Sequence, residues 1–172
     1  MNALADNRIA DYLNDHFICT YLKVGTFQIV NGQKQGGNVA SYFCLHDGSV
    51  IHAVPGQTNA TKLLEEARWA YEIRKAAMTL STDLIKAEPD MKKYIERIRR
   101  AHQERYHALQ GSWSGGKSVP PLPMRMPSHT NQQSQAHWLL AKTPLTKLND
   151  LYPVVWTQVL REQLSDLPVA RR

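Results

Sequence analysis

The chain has no Cys-x-x-Cys; its two cysteines, Cys19 and Cys44, stand far apart inside apolar runs. A dithiol redox centre is therefore absent and no disulfide framework is implied, because an isolated cysteine in such surroundings behaves as a small hydrophobe. Proline is missing before Pro55. No apolar run approaches the roughly 20 residues a membrane helix needs, so no membrane partner is expected. The opening residues (MNALADNR) lack the basic start and apolar stretch of a secretory signal. As written the chain is expected in the cytoplasm, an expectation that holds only if Met1 is the true start. Residues 105–149 contain no acidic side chain. That bias favours a polyanion through counterion release. The basic residues in the same stretch (Arg105, Lys117, Arg125, Lys142 and Lys147) are spread out rather than clustered. Nucleic acid is accordingly not the expected partner, and a basic, nucleic-acid-associated protein ranks third among the functional readings.

What is present suits one ordinary domain with appendages: 172 residues, 42% hydrophobic and 21% charged, too apolar for wholesale disorder. Residues 2–15 place Leu4, Ile9, Tyr12 and Leu13 on one face of a short helix. Residues 17–24 (FICTYLKV) read as a strand, and a turn-prone stretch from Asn31-Gly32 through Gly36-Gly37 follows. Residues 39–46 (VASYFCLH) and 49–54 (SVIHAV) form two further strand-like runs. Asp47-Gly48 joins them as a hairpin turn that demands positive φ. After Pro55-Gly56, Thr58 or Asn59 caps a helix running to about Leu80, with Lys62, Leu63, Leu64, Ala67, Tyr71, Ile73 and Met78 along it. A second helix begins near Pro89 and continues to about Leu109, with Met91, Ile95, Ile98, His102 and Leu109 at helical spacing. The pairs Lys92/Glu96 and Glu96/Arg100 occupy its solvated faces. Residues 111–134, rich in proline, glycine, serine, asparagine and glutamine, read as a flexible linker. Residues 136–142 and 145–164 suggest a small helical hairpin with Trp138, Leu139, Leu148, Leu151, Val155, Trp156, Val159 and Leu160 as its apolar positions. A piece that small buries little alone and is expected to dock on the first domain or on a partner. The units are thus 1–80, a helical extension 81–110, the linker 111–134, the hairpin 135–165 and a tail 166–172.

The order helix, strand, glycine-rich turn, strand, Asp-Gly turn, strand, Pro-Gly, long helix resembles the later half of a thioredoxin-like domain. FCLHDGSVIHAVPGQTNATKLLEEA, from Phe43 to Ala67, is similar to that family's final antiparallel hairpin and closing helix. The resemblance covers residues 2–80 and implies an α/β, partial thioredoxin-like fold with a C-terminal helical extension. It departs from the family at three points. The Cys-x-x-Cys that opens the helix before the first strand here is missing. The cis-proline that precedes the hairpin falls at about Val39 or Ala40, where no proline stands. The strand and helix that open the fold, with the central strand leading to the active site, lie outside this chain. The resemblance therefore implies a non-catalytic, protein-binding or structural module. Its alternative is a fragment of a thiol-disulfide oxidoreductase whose motif lies upstream of Met1. Without the central strand, a sheet edge is left unpaired and self-association follows, unless the C-terminal element or residues 26–31 (TFQIVN) cover it.

Several local patterns carry chemistry in other settings. Residues 111–118 (GSWSGGKS) match the phosphate-loop pattern, but a helix precedes them and Val119-Pro120-Pro121 follows, so no nucleotide is expected. His46 and His52 approach across the hairpin, with Asp47 in the turn and Cys44 beside them. A metal needs three or four ligands held together, and the spacing of the seven histidines assembles no such set. His102 and His107 lie on different helix faces, His129 in the linker and His137 beside Trp138, where packing or surface roles are expected. Cys44 with His46 or His52 is conceivable as nucleophile and base, yet a lone strand cysteine is ordinarily structural. Trp69, Tyr71, Trp113, Trp138 and Trp156 are spaced as packing residues. No catalytic, cofactor-binding or metal-ligating residue is assigned, and the expected partner is a protein or a second copy of the chain.

Overall fold

The computed structural model describes residues 3–21, 28–30, 33–35, 38–81, 90–116, 118–162 and 164. Several sequence expectations fall outside those residues: the end of the 17–24 run, the turn glycines Gly32, Gly36 and Gly37, Pro89, Lys117 and the tail 166–172. Over the described residues the fold is mixed α and β, with five α-helices and antiparallel two-stranded sheets.

A short 3-10 turn at Ala3–Ala5 leads into α1 (Asn7–His16), whose first turn is capped by the Asp6 carboxylate accepting from Arg8 N–H. Ile9 is the helix's buried anchor, and Tyr12 and Leu13 pack beside it. The strand expected after α1 does not form over the described residues 17–21. Ile18 and Tyr21 are exposed there, and only Phe17 turns inward, edge-on to Phe43. A run of strand-prone residues becomes a strand only when another backbone pairs with it. Strands β1 (Gln28–Val30) and β2 (Gln33–Gln35) form their own antiparallel hairpin, so β1 does not replace the family's central strand.

The main hairpin is β3 (Ala40–Cys44) with β4 (Val50–Pro55), joined through Gly48 at φ +81 and carrying an irregularity at Phe43/Cys44. Every residue of β4 is buried. Gly56, at φ +79, ends the strand where a Cβ would stand 2.9 Å from Gln132 Oε1. Helix α2 (Ala60–Ser81) starts where Asn59 Oδ1 accepts from Lys62 N–H, and α3 (Met91–Leu109) starts on the Asp90 carboxylate. The buried face of α3 is Tyr94, Ile98, Ala101, His102, Gln103, Tyr106 and His107, whereas Met91, Ile95 and Leu109 are exposed. The expected stripe is thus rotated, because α3 packs against both α2 and α4 and its tyrosines and histidines turn inward. Glu96 pairs with Arg99, and Arg100 with Glu104, while Arg100 also acts electrostatically on Glu96 as expected.

Between α3 and α4 (Gln132–Lys142) the described residues form no regular element, yet several carbonyls there are tied down. Pro120 O accepts from Gln103, Pro123 O from Trp138, and Pro127 O and Thr130 O from Gln135. Helix α5 (Leu148–Val154) continues into a π-turn at Val155–Val159. Leu139, Leu140, Leu151, Val155 and Val159 form a core with Val50 and Ala53 of β4. The helical hairpin therefore docks on the first unit. It also covers the β4 edge: Val50 N–H donates to Thr146 O, and Ala53 O accepts from the Gln133 amide. A short backbone bridge at Ser49 and Lys147 and the Gln133 side chain together do what a neighbouring strand normally does, which matters because an unpaired buried backbone group costs on the order of 1–3 kcal/mol.

Candidate functional site

Three buried histidines meet where β4, α3 and α4 converge. His52 comes from β4, His102 from α3 and His137 from α4, and all three are fully buried. One ring nitrogen from each lies within 4.8 Å of the others. Local sequence explains the placement. His52 interrupts an apolar strand buried along its whole length, His102 sits one turn after Ile98 and next to Ala101, and His137 follows Ala136 ahead of Leu140 and Ala141. Each is a polar group on an apolar stripe, so burial of the stripe carries the imidazole inward.

The outer nitrogens are held. His52 Nε2 is 2.9 Å from Glu66 Oε2, and His102 Nε2 is 2.8 Å from Ile51 O. A carbonyl only accepts, so His102 carries its proton on Nε2 and presents an Nδ1 lone pair. His102 Nδ1 is 2.8 Å from His137 Nδ1, which must then donate. Gln133 Nε2 stands 3.4 Å from His137 Nε2, the remaining lone pair. His52 donates to the Glu66 carboxylate, leaving Nδ1 as a buried acceptor with no partner. A buried polar atom without a partner is a place where a water or an ion can complete the bonding. Atoms of Tyr42, Tyr94, Arg97, Arg105, His107, Trp113 and Gln135 are in the same position, so what sets His52 Nδ1 apart is its place beside two other imidazoles.

Glu66, on α2, is itself fully buried and takes His52, Lys62 and Arg105 as partners. Its Oε1 takes Lys62 Nζ at 2.8 Å and Arg105 Nη2 at 3.0 Å. Burial pushes this carboxyl upward, but the hydrogen bond from His52 and the charges of Lys62 and Arg105 outweigh it and hold the group well below its ordinary range. Burial pushes all three imidazoles down: His52 despite the opposing carboxylate, His102 to about 3, and His137 well below its usual value. At neutral pH the centre is three neutral imidazoles beside one ionised carboxylate. Trp69 closes one side, with its ring centroid 4.7 Å from His52, 5.0 Å from His102 and 5.2 Å from His137. Arg105 lies over the same indole, and Phe43 stacks on His52.

Neutral imidazoles are the form that binds metals, and a second nitrogen anchored on a carboxylate or a backbone carbonyl is the usual way of fixing the tautomer of a metal-ligating histidine. Ligands at a metal–nitrogen distance of about 2.1 Å stand about 3.5 Å apart. In the tautomers derived above His137 Nδ1–H fills the contact with His102 Nδ1, so holding a metal at these two nitrogens requires that proton to leave or to move to His137 Nε2.

The remaining sequence candidates lie elsewhere. His46 is exposed and outside the cluster, and His52, which could have approached it across the hairpin, pairs with Glu66. His107 Nδ1 pairs with Ser112, and His129 is exposed. Cys19 is exposed and Cys44 half-buried; burial, followed by the Asp47 charge, pushes the Cys44 thiol up, away from the thiolate a nucleophile needs. Asp47 is engaged with Lys147 and Ser49. The phosphate-loop match is entered from helix α3 and not from a strand, and the next helix after it among the described residues starts only at Gln132. Sequence reasoning missed Glu66, Trp69, His102 and His137 as one site. The usable signal was a carboxylate and three imidazoles lying on otherwise apolar faces. Comparison with protein-family models, with curated proteins and with solved structures finds no match to this chain.

Proposed function

We propose that this protein binds one transition-metal ion at the buried centre formed by His52, His102 and His137. Glu66 and the Ile51 carbonyl orient two of the ligands. The observation that carries the reading is the convergence of three fully buried imidazole nitrogens within 4.8 Å, one of them, His52 Nδ1, lacking any partner. An ion bound there joins β4, α3 and α4, elements far apart in sequence. It thereby staples the C-terminal helical unit to the hairpin, and metal-binding energy becomes folding energy. The test is thermal unfolding of the full chain with and without a panel of transition-metal ions. Saturating metal is expected to raise the midpoint, and His137→Gln is expected to abolish the rise while His46→Gln and His129→Gln retain it. A midpoint indifferent to every metal contradicts the reading.

We also propose the non-catalytic, protein-binding role that the thioredoxin-like resemblance implies, with the metal centre as a structural element inside it. It is supported by the order of hairpin β3–β4 and helix α2, and by the raised pKa and isolation of Cys44. The oxidoreductase-fragment reading predicts instead that an in-frame upstream Cys-x-x-Cys exists, and reading the upstream coding sequence decides between the two.

A further inference from the structure

Resting on the metal-binding reading above, we infer that Gln133 is the positioning residue for His137. Its amide oxygen supplies the outer anchor that holds a proton on His137 Nε2 and so leaves the Nδ1 lone pair for the ion.

The other two ligands already have such an anchor. His52 Nε2 donates to the Glu66 carboxylate at 2.9 Å and His102 Nε2 to the Ile51 carbonyl at 2.8 Å, which leaves Nδ1 of each ring as its lone pair. Histidines that hold a metal through one nitrogen ordinarily donate the other N–H to a carboxylate, a backbone carbonyl or water. His137 stands apart. Its Nδ1 carries the proton and donates to His102 Nδ1, and its lone pair is on Nε2, facing Gln133 Nε2. An ion held at Nδ1 of all three rings therefore needs the His137 proton on Nε2. A neutral imidazole has a single N–H, and losing it outright would leave an anionic ring in a fully buried place. The proton accordingly changes nitrogen, and the electron pair it frees on Nδ1 goes to the ion.

An N–H on His137 Nε2 needs an acceptor, and Gln133 has one to give. Gln133 lies four residues before His137 on α4, hence on the same helix face, and is the hydrogen-bonding neighbour of His137 Nε2 among the described residues. Its Nε2 donates to Ala53 O at 3.2 Å, and its Oε1 accepts from no described residue. At 3.4 Å the contact with His137 Nε2 is longer than the anchors on His52 and His102, so little is lost when the amide leaves it. A turn of the amide that keeps Nε2 on Ala53 O and brings Oε1 to His137 Nε2 completes the third anchor and keeps the β4 edge covered.

The test compares Gln133→Met with Gln133→Glu in the full chain. Both variants lose the donor to Ala53 O and share that structural cost, whereas only the carboxylate can accept from His137 Nε2–H. Zinc(II) affinity is read by competition with a zinc chelator, and the proton's place by long-range proton–nitrogen correlation NMR of the histidine rings. In the unsubstituted protein the His137 proton is expected on Nδ1 without metal and on Nε2 with zinc(II). Gln133→Met should bind zinc(II) roughly 10- to 100-fold more weakly, the usual effect of removing an outer anchor. Gln133→Glu should bind at least as tightly as the unsubstituted protein. A carboxylate also attracts the cation directly, so the deciding spectrum is that of metal-free Gln133→Glu, in which the His137 proton should already stand on Nε2. A proton still on Nδ1 there, or Gln133→Met binding zinc(II) as tightly as the unsubstituted protein, overturns the role of Gln133 and leaves the metal centre standing. If either variant fails to fold, the zinc-loaded unsubstituted protein decides, and a His137 proton that stays on Nδ1 overturns the inference. An unsubstituted chain that does not bind zinc(II) also overturns it, while the panel of ions decides the metal centre itself.

Discussion

Replacing Glu66 with Gln probes how the site is held together. The substitution keeps volume and one oxygen, which can still accept from Lys62 and Arg105 but without charge. The new amide group then faces His52 Nε2, and the bond at 2.9 Å sets donor against donor. Either His52 moves its proton to Nδ1, which removes the inward lone pair, or the amide turns its oxygen to His52 and sets its NH2 against Lys62 and Arg105. Breaking a fully buried ion pair from one side costs about 3–5 kcal/mol. Here Lys62 and Arg105 keep 39% and 27% of their side chains exposed, so water takes up part of their charge. The expected loss is therefore about 2–3 kcal/mol, or about 4–12 °C in Tm for a chain of this size. Metal affinity should fall together with stability. Urea unfolding followed by circular dichroism, with the Tm measured in parallel, reads both quantities. A loss below about 0.5 kcal/mol, the size of an ordinary surface substitution, would refute the idea that the carboxylate holds His52 in place.

Acid should unfold the metal-free chain early. The three imidazoles are held below their ordinary value of 6.5, so the unfolded state binds more protons below that pH. Stability is full above about pH 6.5 and falls toward the folded values at up to ~1.4 kcal/mol per pH unit for each ring. Glu66, also held low, adds a loss of the same sign below 4.5. An unfolding free energy unchanged between about pH 7 and pH 4 contradicts neutral, buried imidazoles. Leu140→Ala removes a 1% exposed side chain from the interface between β4 and the C-terminal helices and should cost about 2–5 kcal/mol by denaturant titration. Limited proteolysis should cut first at residues 114–116, which are exposed, before the strap 118–131 whose carbonyls at Pro120, Pro123, Pro127 and Thr130 are hydrogen-bonded. First cuts in the strap would show that those bonds do not hold it.

The parts of the fold that read directly from sequence are those set by local chemistry. Asp47-Gly48 between two strand-like runs produced the β3–β4 hairpin, and Asn59 capped α2 because a side-chain oxygen is needed there for the free N–H of Lys62. Residues 17–21 have strand-like composition but no strand, since composition does not supply a pairing partner. The α3 stripe was drawn through Met91 and Ile95 because they are the more hydrophobic residues, while the two-sided packing of the helix buries Tyr94, His102 and Tyr106 instead. The histidine centre was the least legible feature. Its ligands come from three separate elements, His102 and His137 alone being 35 residues apart, and no short motif spans such distances. Spacing within one helix or hairpin led to His46 with His52, whereas three-dimensional packing selects the imidazoles on buried faces. The covering of the β4 edge by the His102 and Gln133 side chains was foreseeable only as a need, because the sequence does not say which groups answer it.

Native mass spectrometry of the full chain, after anaerobic incubation with copper(I) and separately with zinc(II) and removal of excess metal, tests the buried metal centre most directly. The account predicts one tightly held ion per chain, lost in His102→Ala and His137→Gln and kept in His46→Gln. No retained ion, or one that survives both cluster substitutions, would contradict it.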